Sequence, residues 1–129
     1  MNEEKVKEIV KEYFEKEGYK VTPEPSLENG LVKLDFFCYK ETKTSQLTFD
    51  NNGTKIDNIW IECKGDVNLS EVLEGLVRTA FAVWCEGGTG ILALPKKQFN
   101  ILKRYKGFFN NDKKMKIMNV EKNIEYATI

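Results

Sequence analysis

Apolar residues recur along this chain with two periods, and where the period changes one element gives way to the next. Within residues 3–17, Val6, Ile9, Val10, Tyr13 and Phe14 stand at helical spacing between Glu8, Lys11, Glu12 and Glu15, and Gly18 follows as a natural stop. This predicts an amphipathic helix with one buried stripe. Residues 19–21 read as a short strand, broken by Pro23, Pro25 and a turn-rich stretch up to Gly30. Residues 31–39 alternate as a strand does, Val32, Leu34, Phe36 and Cys38 on one face and Leu31, Lys33, Asp35, Phe37 and Tyr39 on the other. Both faces are largely apolar, which predicts a central strand covered on both sides, with Asp35 its only acid. A polar excursion over residues 41–55 holds Asn51, Asn52 and Gly53, the turn chemistry of a hairpin leading into the next strand.

That next strand, residues 57–65, directs Ile59, Ile61 and Cys63 to one face and Trp60, Glu62 and Lys64 to the other, and ends in Gly65. One face builds core and the other carries charge, and charges beside a buried sheet must be paired or hold something. Asn68 or Ser70 can then cap a helix in which Leu69, Val72, Leu73, Leu76, Val77, Ala80, Phe81 and Trp84 form a broad apolar face. It is expected to be the most buried helix. Gly87, Gly88 and Gly90 turn the chain into an apolar strand over residues 91–94, stopped by Pro95. The glycines precede a strand instead of following one, so they are not a phosphate-binding loop of the Walker kind. A helix on Phe99, Leu102 and Tyr105 is predicted over residues 96–106, and strands over 115–120 and 124–129 close the chain. This order predicts an α/β protein, a central mixed β-sheet flanked by α-helices.

Composition narrows the chemistry. A chain of 129 residues, 41% hydrophobic and 31% charged, is expected to be one soluble globular domain. No apolar run approaches membrane-spanning length, and residues 1–5 lack the apolar core of a signal peptide, so a cytoplasmic location and no membrane partner are expected. Cys38, Cys63 and Cys85 are odd in number, far apart and set in apolar segments, which reads as buried thiols. The sequence contains no histidine, which excludes hydrolases with a histidine base and histidine-ligated zinc sites. Carboxylates and lysines remain. The formal net charge of zero counts against a tight non-specific nucleic-acid binder. Yet Lys96, Lys97, Lys103, Arg104, Lys106, Lys113, Lys114 and Lys116 face only Asp112 as a local acid, a stretch that can track a phosphate backbone or form a solvated face.

An acid two residues before a lysine occurs four times, at Glu3/Lys5, Glu41/Lys43, Glu62/Lys64 and Asp112/Lys114. Only Glu62/Lys64 lies on an apolar strand, and only it follows another apolar strand with a lone acid. The succession of a helix bearing Glu8 and Glu12 and ending at Gly18 and Tyr19, Leu34-Asp35-Phe36, Trp60-Ile61-Glu62-Cys63-Lys64-Gly65, a long apolar helix, and Gly90-Ile91-Leu92-Ala93-Leu94 resembles the PD-(D/E)XK nuclease superfamily. Within it the chain is most similar to Mrr-type restriction endonuclease domains and, more distantly, to archaeal Holliday junction resolvases. The likeness covers residues 3–95; Leu34 departs from the proline of the family name, and no RecB-type glutamine motif follows Lys64.

The resemblance implies a restriction endonuclease-like fold and a metal-dependent endonuclease acting on nucleic acid, DNA in the first instance. Asp35 and Glu62 would bind magnesium or manganese with the backbone carbonyl of Cys63, Lys64 would orient the attacking water, and Glu12 or Glu8 would complete the site. Cutting two strands further implies a homodimer. Elementary electrostatics agrees, because two neighbouring carboxylates repel until a cation removes the conflict. Hard oxygen ligands suit magnesium. The alternatives are a cross-strand ion pair worth at most about 1 kcal/mol if exposed, and a catalytically inactive module of the same fold that binds nucleic acid or protein. Glu74 and Arg78, four residues apart, read as a helix pair.

Overall fold

A computed structural model describes residues 1–43, 54–105 and 114–129. Helix α1 (Glu3–Lys16) starts where Asn2 accepts the Lys5 N–H in its side chain at 2.9 Å, carries Glu3 and Glu4 in its first turn, and stops before Gly18 in the left-handed region. Strands β1 (Lys20–Pro23), β2 (Ser26–Leu27), β3 (Val32–Lys33), β4 (Phe36–Lys43) and β5 (Thr54–Cys63) follow. Helix α2 (Leu69–Glu86), strand β6 (Thr89–Leu94), helix α3 (Lys96–Lys103) and strands β7 (Met115–Asn119) and β8 (Glu125–Thr128) complete the order.

Among the described residues six strands form one sheet in the order β1-β4-β5-β6-β7-β8, and β2 pairs separately with β3. Neighbours β1, β4 and β5 are antiparallel, β5, β6 and β7 run parallel, and β8 returns antiparallel. The sheet is therefore mixed. Alternation along its strands sends each residue set to a different helical layer. Ile59, Ile61, Cys63, Ile91, Ala93 and Met118 pack with Val6, Val10 and Phe14 of α1. Trp60, Leu92, Leu94, Met115 and Ile117 pack on the other side with Val72, Leu76 and Val83 of α2 and Phe99 and Leu102 of α3. The protein is thus α/β, a mixed sheet between one helix and two, and no described helix is long and apolar enough to cross a membrane.

Four expectations change. The strand expected over residues 31–39 is interrupted at Leu34 and Asp35, and β4 runs on to Lys43 while β5 begins at Thr54, so the hairpin arms reach into the polar stretch. The turn expected at Asn51–Gly53, like Lys106, Asp112 and Lys113, falls outside the described residues. Helix α2 buries Val72, Gly75, Leu76, Thr79, Ala82 and Val83, but Leu69, Val77 and Trp84 are exposed. Small residues decide this, because Gly75, Thr79 and Ala82 let one side of the helix lie close to the sheet and turn the bulky remainder outward. Cys38 and Cys63 are buried thiols, whereas Cys85 is exposed near the end of α2. The basic stretch is not free of acids in space either, since Glu125 pairs with Lys103 at 3.2 Å and Glu121 accepts the Lys96 N–H at 3.0 Å.

Candidate functional site

Strand pairing between β4 and β5 ends at Phe36 opposite Ile61, and Asp35 is the residue just before that end. Asparagine and aspartate readily trade ladder bonds for local ones, and Asp35 does so here. Its N–H donates to the Ile61 carbonyl at 3.1 Å, its own carbonyl accepts the Glu24 N–H at 2.9 Å, and its Oδ2 accepts the Cys63 N–H at 2.7 Å. The side chain thereby takes up a donor that a longer β4 would have met with backbone. These bonds clamp Asp35 against the last turn of β5, beside Glu62.

Glu62 is almost fully buried at 3% exposure on the α2 face of the sheet. Its carboxyl lies within hydrogen-bonding reach of Asp35, and its Oε2 accepts from the Arg78 guanidinium at 3.3 Å. Burial, then the hydrogen bond and charge of Asp35, push its pKa up to about 8, against the pull of Lys64 and Arg78. At neutral pH Glu62 therefore keeps its proton. Lys64 follows β5 with its N–H donating to the Ala93 carbonyl at 3.0 Å. A trans peptide sets its C=O opposite its N–H, so the Cys63 carbonyl is directed away from β6, toward the side where Asp35 stands.

Glycine 75 explains how Glu62 and Lys64 fit beneath a helix. A methyl group there would lie 3.0 Å from Lys64 Cε and 3.3 Å from Glu62 Cγ, so the two side chains pass side by side through the space a larger residue would fill. Gly65 does the same for the opposite layer. A Cβ on it would stand 2.5 Å from the Glu3 nitrogen, and the Asp66 N–H next to it donates to the Met1 carbonyl at 2.8 Å. The first turn of α1 is thus seated on the loop after Lys64.

That seating brings Lys7 to the site, with Nζ 3.4 Å from Asp35 Oδ1. Burial opposes the Lys7 charge, but Asp35, with Glu3 and Glu4, overcomes that and raises its pKa. Glu8 and Glu12 are both exposed, and Glu8 pairs with Lys5 at 3.4 Å; the α1 residues facing Asp35 are Lys7 and, beside it, Glu3 at 3.6 Å from Lys7. Arg78 is more than the helix partner of Glu74, which it meets at 2.6 Å, because its second nitrogen reaches Glu62. Neither Lys7 nor Arg78 stands out in the sequence. The available signal was indirect, since a buried Glu62 requires cations, and Arg78 borders the small-residue stripe of α2.

The structure therefore gathers Asp35, Glu62 and Lys64, with Lys7 on one side and Arg78 on the other. The Cys63 side chain turns into the α1 core, where burial first, then Asp35 and Glu62, raise its pKa well above normal and keep it an inert thiol. Trp60, on the Glu62 face, stacks on Phe37 at 4.4 Å and donates to the Gly87 carbonyl at 3.1 Å, a structural role. Among the described residues no three His, Cys, Asp or Glu side chains gather to hold a metal. Two neighbouring carboxyl groups, with one backbone carbonyl on their side, are a donor set that fits magnesium, which takes one or two carboxylates and keeps several waters. Comparison with protein-family models, with curated proteins and with solved structures found no match.

Proposed function

We propose that this chain is a metal-dependent nuclease with a restriction endonuclease-like fold, hydrolysing phosphodiester bonds, with DNA as its substrate. One observation carries the reading: Glu62 is buried beside Asp35, and its side chain and that of Lys64 share the space left by Gly75. The element order supports it. Helix α1, Asp35 just before β4, Glu62 in the antiparallel β5 with Lys64 just after it, and α2 leading from β5 to the parallel β6 follow one another in the order on which the resemblance rests.

In this reading Asp35, Glu62 and the Cys63 carbonyl would hold magnesium or manganese. When bound, the ion polarises the phosphoryl oxygen and acidifies water. Glu62 would serve as a ligand in its carboxylate form, its proton lost to solvent, and Asp35 is already aimed by the Cys63 N–H. Lys64 places positive charge where negative charge grows on the phosphate, and orients the attacking water. Lys7 and Arg78 are positioning residues that fix the two carboxylates from opposite layers. A magnesium-dependent cleavage assay on duplex, branched and single-stranded DNA tests the function. Cleavage by the wild type, lost on Glu62→Ala and on Lys64→Ala, is the expected result. Equal inertness of all three on every substrate removes catalysis.

A second reading rests on the charge balance: Lys7, Lys64 and Arg78 lie beside Asp35 and Glu62, so cations already outnumber the acids there without a metal. The chain is then a non-catalytic module of the same fold. Calorimetry showing no magnesium or manganese binding, beside intact nucleic-acid association, decides for it.

A further inference from the structure

The carboxyl group of Asp35 divides its two oxygens between different duties. Oδ2 accepts the Cys63 N–H at 2.7 Å, and the residue's own N–H and carbonyl are tied to Ile61 and Glu24, so its aim is set without help from α1. Oδ1 is turned toward Lys7, whose Nζ lies 3.4 Å away. An ammonium group and a divalent cation seek the same kind of partner, a hard, negatively charged oxygen. Lys7 therefore stands at the oxygen of Asp35 that is not committed to the backbone.

The same ammonium has two other partners. It lies 3.6 Å from Glu3 Oε2 and 3.5 Å from Glu4 Oε1, one turn back on its own helix. Their side chains are the more solvated, 43% and 79% exposed against 16% for Asp35. Pairs three and four residues apart are neighbours on any helix surface, so neither contact depends on Asp35. A lysine carries its charge on a flexible four-carbon stem with three donors, and can leave one acceptor while keeping the others.

We propose that Lys7 is an exchangeable counter-ion of the candidate metal site: it pairs with Asp35 Oδ1 when no divalent cation is bound, and yields that oxygen to magnesium or manganese by moving onto Glu3 and Glu4. This deepens the nuclease reading and rests on its metal site, not on its substrate. The exchange keeps Asp35 from standing beside the buried Glu62 without a cation on its free oxygen. It also sets metal affinity, because the lysine competes for a ligand. A double and a single positive charge held about 5 Å apart shift an equilibrium more than tenfold even at the dielectric of water, about 80. Glu3 and Glu4 offset part of that by receiving the ammonium.

The test is manganese binding to the full chain at pH 8, read by paramagnetic resonance and independent of activity. Lys7→Gln should bind manganese at least about tenfold more tightly than the wild type, and Lys7→Arg, which keeps the charge, should not. Replacing Glu3 and Glu4 together by glutamine should weaken binding, and weaken it less when Lys7→Gln is also present, because no ammonium then has to be received. A lysine that only held Asp35 in place would give the opposite sign, so Lys7→Gln binding equal to or weaker than the wild type overturns the exchange. An equal loss on Glu3→Gln with Glu4→Gln in both backgrounds overturns it as well. Either result in a chain that cuts DNA leaves the nuclease reading intact. Tighter binding by Lys7→Gln in a chain that cuts no DNA upholds the exchange and removes catalysis instead, and a wild type that binds no manganese overturns both.

Discussion

Replacing Glu62 by glutamine should make the protein more stable at neutral and alkaline pH, and by an amount that grows with pH. Glutamine keeps the length and the hydrogen-bonding capacity of a protonated glutamate and cannot ionise. In the wild type, burial and then Asp35 raise the Glu62 pKa from 4.5 to about 8 in the folded state. The folded protein therefore binds this proton more tightly than the unfolded chain, and stability from it is fully present below pH 4.5 and lost as pH rises through 8. The slope within that window is about 1.4 kcal/mol per pH unit, so roughly 2 kcal/mol is lost between pH 6 and pH 8. The variant loses none of it. Urea unfolding followed by fluorescence of the buried Trp60 measures the difference. With an m value of about 1–3 kcal/mol/M, the gap between variant and wild-type midpoints should widen by about 1 M across those two pH units. A gap that stays constant from pH 5 to pH 9, or that closes as pH rises, refutes the argument. It would mean that Glu62 is ionised and held by Arg78, with Asp35 turned away.

Two further outcomes follow from the same geometry. Because a metal must displace the Glu62 proton, magnesium binding should release about 0.9 proton at pH 7 and about 0.1 at pH 9, and affinity should rise about fiftyfold from pH 6 to pH 8. Calorimetry in buffers of different ionisation enthalpy reads both. Gly75→Ala should leave stability within about 1 kcal/mol, since the helix gains propensity while Lys64 Cε and Glu62 Cγ give way, and yet should depress cleavage at least tenfold because Lys64 is the group displaced.

Periodicity carried most of the fold because each helix buries one stripe and each inner strand alternates between two covered faces. Ile59, Ile61 and Cys63 go to α1 and Trp60 and Glu62 to α2, as the alternation requires. It failed at Asp35, where propensity read a continuous strand and the side chain instead bonded the Cys63 N–H and broke it. It failed again on α2, because hydrophobicity does not distinguish Trp84, which is 82% exposed, from Leu76, which is fully buried; the small residues Gly75 and Thr79 make that choice by allowing close approach. Glu62 and Lys64 stood out in the sequence because an acid and a base beside an apolar strand are costly there, and Asp35 because it is the lone acid of the strand before it. Lys7 and Arg78 were not, since each sits among other charges on a half-solvated helix and only the tertiary packing selects it.

The central claim is that Asp35 and Glu62 share one divalent ion, and manganese titration followed by paramagnetic resonance tests it most directly. The wild type should bind a single ion at pH 8. Asp35→Asn and Glu62→Gln, each keeping the shape and the Cys63 or Arg78 contact, should each lose it while remaining folded. Binding that persists unchanged in both variants, or a wild type that binds no manganese at pH 8, contradicts the account.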